Sequence, residues 1–139
     1  MDLEQLLRLQ NRFMIGFDLV LGTATLVAPR STLRLLGHDE PSPETIAGFR
    51  RLSWVWLTFA AAHTTADRRG DPADWWALAW LRGTEMLADP IWSSSPGWRR
   101  PGSRASLWFS GASNTAMSLG FGWLATRPQA RTRRFLPRR

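Results

Sequence analysis

The sequence predicts an all-α protein: a four-helix transmembrane bundle with short loops and a basic C-terminal tail. Four long, mostly apolar segments alternate with turns rich in proline, glycine and charge. Nine of the 139 residues are tryptophan, which is favoured at membrane interfaces, and arginines flank the apolar segments. A mean hydropathy of −0.23 points the other way. A soluble all-α domain is therefore the alternative fold class.

The first helix is predicted over residues 3–28. Its start is amphipathic, and it then runs apolar to Pro29, interrupted only by the acid Asp18. Acids precede the first basic residue and no small-residue cleavage site follows a short core, so we expect this helix to be retained rather than removed as a signal peptide.

The second and third helices are predicted over residues 43–66 and 71–92. Ser42 followed by proline and glutamate is a typical helix start, and so is Asp71 followed by proline. Pro90 is expected to kink or end the third helix. A short helical turn is also expected between the first two helices, over STLRLLG.

The fourth helix is predicted over residues 105–126, which carry no charge. Small residues at four-residue spacing, Ala112, Ala116 and Gly120, predict a ridge that lets another helix approach closely, within the chain or in a homo-oligomer. Residues 1–126 would then form one membrane domain. Residues 127–139 would be a basic tail suited to an anionic lipid surface.

The charge pattern predicts a multi-pass protein of the bacterial cytoplasmic membrane. Arginines are more numerous on the side of the N-terminus, the second turn and the tail, so both termini are expected in the cytoplasm. All 18 basic residues are arginine, which is typical of a GC-rich bacterial genome. The net charge of +7 would suit nucleic acid, but the arginines are scattered, and no nucleic-acid partner is expected.

The third helix carries the candidate site. Arg82, Glu85 and Asp89 follow at spacings of three and four, so they share one helix face, with Trp75 in line above them. Burial would raise the pKa of one acid, which would donate a proton while the other acts as base, and Arg82 would orient them. The alternatives are a structural Arg–Glu pair or a solvated face.

Three further polar residues lie on the other helices. Asp18 would converge with the acids of the third helix or pair structurally with an arginine such as Arg82. Asn114 would orient a ligand oxygen or hold two helices together. His63 would be a proton shuttle or, since its helical face is apolar and a helix end is near, an interfacial histidine.

The sequence offers little for cofactors or metals. There is no cysteine and no lysine, which excludes thiolate chemistry, Schiff bases and a Walker lysine. His38 and His63 have no ligand-like spacing, so neither a zinc site nor a bis-histidine haem is predicted. We expect a protein without a cofactor.

The stretch LVLGTATLVAPRSTLRLLG, followed by PSPETIAGFRRL, resembles the DoxX-like group of small bacterial membrane proteins. The shared features are a first helix closed by Ala-Pro, an L-x-L-L-G turn and a proline-rich entry into a second helix that bears arginine. The resemblance covers residues 15–92. It implies a four-helix membrane bundle and assigns no catalytic residue.

Two functions are expected from the residue types. The first is a small integral membrane enzyme in which Glu85, Asp89 and Asp18 perform acid–base chemistry on a lipophilic small molecule, while Arg82, Asn114, Trp75 and His63 bind or orient it. Epoxide opening, cyclisation and double-bond isomerisation all fit. The alternative is a non-catalytic accessory subunit or lipophile-binding protein whose charges are structurally paired.

Overall fold

The computed structural model describes residues 1–127, which form five α-helices and no strand. The all-α class is therefore confirmed. The helices are α1 (Leu3–Val27), α2 (Pro29–Leu35), α3 (Pro43–Arg69), α4 (Pro72–Ser93) and α5 (Pro101–Thr126).

Local sequence signals set the helix ends. Asp2 accepts a hydrogen bond from the backbone N–H of Gln5, whose side chain accepts one from the backbone of Asp2, so a capping box opens α1. Ser42 caps α3, and Gly70 ends it in the left-handed region at a φ of 68°. Prolines at their first positions open α2, α3, α4 and α5.

The long helices pack as two antiparallel pairs, α1 with α3 and α4 with α5. In the first pair Asn11 lies against His63 and Gly22 against Ser53, so α1 and α3 run in opposite directions. α4 also packs against α3, and α2 packs against α1 and α3. One apolar cluster forms around Trp75 and Phe121, and a second around Phe49 and Trp98.

The α1–α3 pair depends on a close approach at Gly22. A Cβ there would lie 2.9 Å from the side chain of Leu57 and 3.1 Å from the carbonyl oxygen of Ser53. We expect Gly22→Ala to lower the free energy of unfolding by about 1–3 kcal/mol through overpacking. At Gly16, on the same helix, a Cβ would meet open space. Gly16→Ala should therefore be neutral or stabilising by up to about 1 kcal/mol. Urea unfolding measures both, and equal effects would contradict the close approach.

α4 passes through Pro90 and ends at Ser93, within one residue of the predicted range of 71–92. Two other helix boundaries differ from the sequence prediction. α3 ends at Arg69 instead of at residue 66. α5 begins at Pro101 rather than at residue 105, because Pro101 occupies a first helical position, where its missing N–H costs nothing. The short turn expected after α1 is the helix α2, which begins at Pro29.

The transmembrane prediction is wrong for the part of the chain that the structure describes. None of its helices combines the length and the apolar character that crossing a bilayer requires. Charged residues interrupt α1, α3 and α4, and the serines, threonines, glycines and asparagine of α5 dilute its apolar residues. The predictions of a four-helix transmembrane bundle and of a multi-pass location in the cytoplasmic membrane are corrected accordingly.

The small-residue ridge of α5 makes one internal contact. Ala112 and Ala116 are exposed, whereas Gly120 faces the side chain of Leu7 on α1. A second close helix contact occurs at Gly111, where an added Cβ would lie 2.9 Å from the ring of Pro90. A role of the ridge in a homo-oligomer stays a prediction. Apart from Arg127, the predicted basic tail lies outside the described residues.

Candidate functional site

A layer of buried polar side chains connects α1, α3 and α4. α1 contributes Asn11 and Asp18, α3 contributes His63, and α4 contributes Arg82. None of the four is more than 3% exposed. Polar groups so deeply buried are costly unless they bond one another, so their mutual geometry decides how the layer is stabilised.

The four side chains form one hydrogen-bonded chain. Nη2 of Arg82 donates to a carboxylate oxygen of Asp18, and Nε of Arg82 donates to Nε2 of His63 at 3.0 Å. Nδ1 of His63 lies 2.6 Å from Oδ1 of Asn11, whose Nδ2 donates to the His63 carbonyl oxygen at 3.1 Å. Because Nε2 accepts from Arg82, the imidazole proton is on Nδ1 and is donated to Asn11.

Burial controls the charges of this chain. Burial, followed by the positive charge of Arg82, lowers the pKa of His63 to about 3, so the imidazole is neutral near pH 7. Burial also raises the pKa of Asp18 to about 6, although the guanidinium of Arg82 acts in the opposite direction. Arg82 further lies 4.8 Å from the ring centre of Phe59, a cation–π distance.

A cavity of about 220 Å³ lies beside this chain, and Arg82 forms part of its wall. Two acids from α4, Glu85 and Asp89, line the same cavity. The rest of the wall is mainly apolar and aromatic, with three serines from α5: Phe17, Leu21, Leu36, Trp56, Trp92, Trp98, Ser103, Ser106, Leu107 and Ser110. A small apolar cavity with a few convergent polar groups is typical of a ligand site.

The two cavity acids form no ion pair within residues 1–127, although the charge of Arg82, which is itself paired with Asp18, lowers the pKa of both. Asn114 donates to Asp89 at 3.2 Å. Burial raises the pKa of Asp89, whereas hydrogen bonds from Ser110 and Asn114 lower it.

The pKa of Glu85 is raised first by burial and then by the charge of Asp89. Within residues 1–127 no hydrogen bond holds its carboxylate in the charged form. Glu85 is therefore the better proton donor, and Asp89 the better-supported carboxylate.

Three buried polar atoms near the site have no hydrogen-bond partner in the described part of the chain. They are Oδ1 of Asp18, Oδ1 of Asn114 and Nε1 of Trp98. Each lies in a side chain that is no more than 5% exposed. Two of these atoms are acceptors and one is a donor, so unpaired acceptors outnumber unpaired donors in the region around the acids.

The structure brings most of the predicted site residues together. Arg82, Glu85 and Asp89 line one cavity, Asn114 bonds Asp89, and Asp18 takes the structural alternative by pairing with Arg82. The contacts of Asp18 are thus those of a supporting residue.

Two predicted residues lie elsewhere. Trp75 packs in the first apolar cluster, 5.7 Å from the ring of Phe121, and does not line the cavity. Trp75 lies on the same helix face as Arg82 but about two turns earlier, and this distance places its ring in the first apolar cluster rather than at the cavity. His63 is fully buried, so the interfacial position expected from its apolar face is wrong.

Sequence reasoning missed several members of the site. Asn11 shares a helix face with Asp18 at a spacing of seven, and this spacing was the available signal. Trp98 comes from the segment between α4 and α5, whose serines, prolines and glycines predict a loop. Nothing in the loop composition indicates that a buried ring would come from it.

Two larger surface features lie outside this cavity. A polar cleft of about 720 Å³ lies around His38 and Gly97, and an apolar groove of about 670 Å³ runs between α4 and α5 past Trp80 and Leu119. Among the described residues, no group of three or more histidines, cysteines or acids is placed to hold a metal ion.

Comparison of the chain with known protein families, curated proteins and solved structures gives no match. The resemblance to the DoxX-like group therefore stays a prediction, and the site is interpreted from its own residues.

Proposed function

We propose that the protein catalyses cofactor-independent acid–base chemistry on a small, largely apolar molecule held in the cavity beside Arg82. The observation that supports this is the pair of acids on the cavity wall, Glu85 and Asp89, neither of them in an ion pair with an arginine of the described residues. A purely structural set of charges would be closed in pairs, as Asp18 and Arg82 are.

The environments of the two acids suggest different roles. Glu85, whose pKa is raised by burial and by its neighbour, would donate a proton to an oxygen or a double bond of the substrate. Asp89, oriented by Asn114, would accept a proton from the substrate or from a water. Epoxide opening, cyclisation and double-bond isomerisation all use this combination without a cofactor.

The size of the cavity limits the substrate. A cavity of about 150 Å³ holds benzene. The observed volume of about 220 Å³ is therefore suited to a molecule with one ring and a few substituents. The aromatic and aliphatic wall favours an apolar body, and the acids favour a reactive group at one end.

Two monocyclic probes test the proposal. Cyclohexene oxide should be opened to the diol, or 3-cyclohexen-1-one should be converted to its conjugated isomer, by the purified protein. Glu85→Gln and Asp89→Asn should each lower kcat/KM about 100-fold, since general acid–base groups contribute about 10²–10⁴-fold. The matched control is Glu44→Gln, a similar change at an exposed acid of α3.

The structural alternative makes the opposite prediction. If the acids only stabilise the fold, Glu85→Gln and Asp89→Asn will shift the midpoint of thermal unfolding while any probe conversion stays at the parent rate. A conversion that survives in both variants would remove these acids from the mechanism.

A second candidate function is non-catalytic binding by an accessory protein. Exposed apolar side chains along the α4–α5 groove favour it, among them Trp80, which is 76% exposed, and Leu119, which is 72% exposed. Large apolar patches of this kind are typical of interaction surfaces. In that case the cavity would bind the probes without converting them.

A further inference from the structure

The cavity beside Arg82 has an excess of negative charge. Among the residues that the structure describes, Arg82 is the only basic one in its wall, and its guanidinium is already paired with Asp18. His63 donates its one ring proton to Asn11 and is neutral. The charges of Arg82 and Asp18 cancel, so each wall acid that is ionised adds one uncompensated negative charge.

Aromatic rings surround the same space. Phe17 on α1, Trp56 on α3, Trp92 on α4 and Trp98 after α4 all line the cavity. The rings of Trp92 and Trp98 meet edge to face with centres 4.9 Å apart, which fixes their relative orientation. Aromatic walls next to a carboxylate are the chemistry that recognises organic ammonium groups, because the ring faces and the acid both attract positive charge.

An unsatisfied acceptor adjoins the acids. Asn114 is 5% exposed and donates through Nδ2 to Asp89, while its Oδ1 has no partner in the described part of the chain. Asn114 does not line the cavity, so it orients Asp89 from outside the wall, and the Asp89 carboxylate is the acceptor that a ligand's N–H donors can reach.

We propose that the cavity binds a small organic cation, a monocyclic amine whose ammonium group lies at Asp89 and whose apolar ring lies against Trp56, Trp92 and Trp98. This inference goes beyond the proposed function, because a cation held at Asp89 occupies the carboxylate that would act as base and is therefore a ligand rather than the substrate. Its positive charge offsets a negative charge that Arg82, paired with Asp18, does not pair.

Two probes of equal size test the charge requirement. Cyclohexylammonium and cyclohexanol differ mainly in the positive charge, and isothermal titration calorimetry at neutral pH and low salt measures both dissociation constants. We expect cyclohexylammonium to bind at least about tenfold more tightly than cyclohexanol, because one close charge pair in a partly buried site provides that much additional binding free energy.

Variants assign the preference to this cavity. Asp89→Asn should weaken cyclohexylammonium about tenfold and leave cyclohexanol nearly unchanged, because it removes charge with little change in shape. Glu44→Gln, on the exposed side of α3, should change neither constant. Thermal unfolding of each variant verifies the fold. If Asp89→Asn unfolds, Trp56→Leu, which removes an aromatic part of the cavity wall, should weaken cyclohexylammonium more than cyclohexanol.

The outcomes separate this inference from the proposed function. If cyclohexanol binds as tightly as cyclohexylammonium, the proposal that the ligand is a cation is wrong. Conversion of the neutral cyclohexene oxide would still support acid–base catalysis in that case. If neither probe binds, or if Asp89→Asn leaves the cyclohexylammonium constant unchanged, the assignment of a cation to this cavity is overturned. A tenfold preference without conversion of any probe would support cation binding and contradict catalysis.

Discussion

Replacing Arg82 by methionine is expected to lower the free energy of unfolding at pH 7 by about 3–5 kcal/mol, the usual cost of breaking a buried ion pair from one side. Methionine has a similar length, so the loss is mainly electrostatic. Asp18 would lose its cation in a fully buried site, and Nε2 of His63 would lose its donor. Urea unfolding measures the change.

The loss should depend on pH in a defined direction. The positive charge of Arg82 lowers the pKa of Asp18, which burial raises. Without Arg82 this pKa should therefore be higher than in the parent. Acidification then neutralises the uncompensated charge, and the penalty of Arg82→Met should shrink by about 1.4 kcal/mol per pH unit at most. A penalty that is constant with pH would mean that Asp18 is not the group left unpaired.

An exposed ion pair provides the control for Arg82. Arg12 lies 3.0 Å from Asp67, and its side chain is 65% exposed. Arg12→Met should cost less than about 1 kcal/mol, because water screens such a pair. If Arg12→Met and Arg82→Met cost the same, the buried hydrogen-bonded chain contributes no more than a surface pair and is not a main determinant of stability.

The helix starts were readable from local chemistry. Ser42 before proline and Asp71 before proline predict the beginnings of α3 and α4 within one residue, because caps and first-turn prolines act over a few residues. Pro101 carries the same signal, but the serines and glycines around it made the segment resemble a loop. Pro90 shows the converse, since packing of α4 against α5 carries the helix past a residue that disfavours it.

The part of the candidate site that was predicted also depends on local sequence alone. Arg82, Glu85 and Asp89 share a helix face whatever the tertiary fold is, so their spacing alone placed them together. The pairing of Arg82 with Asp18, the burial of His63 and the contribution of Trp98 depend on which helices become neighbours. No single-helix pattern contains that information.

The error over the membrane has a related origin. Tryptophan and arginine counts are the same whether those residues face lipid, solvent or a core, and Trp75, Trp98 and Arg82 are buried. Helix-by-helix hydropathy distinguishes the cases better, because each charged residue within a segment lowers its mean. In α4 the charges that suggested an intramembrane site are among those that lower the apolar character of the helix.

His63 is expected to make the protein less stable in acid. Its pKa is about 3 in the folded chain and 6.5 when unfolded, so between these values the unfolded chain binds a proton that the folded chain does not. Stability from this group is therefore complete above about pH 6.5 and falls with acidification by at most about 1.4 kcal/mol per unit. His63→Gln keeps hydrogen-bonding capacity without titrating, so the difference in free energy of unfolding between parent and variant should narrow from pH 6 to pH 4.

Asp18 provides the matched control, because its shift has the opposite consequence. Its pKa of about 6 when folded exceeds the ordinary 3.8, so acidification between these values stabilises the folded chain and partly offsets the effect of His63. Asp18→Asn removes the offset, and its stability should fall more steeply with acid than that of the parent over the same interval. Parallel curves for the parent and His63→Gln would show that His63 titrates alike in the folded and unfolded chains, which a neutral imidazole bonded between Arg82 and Asn11 does not permit.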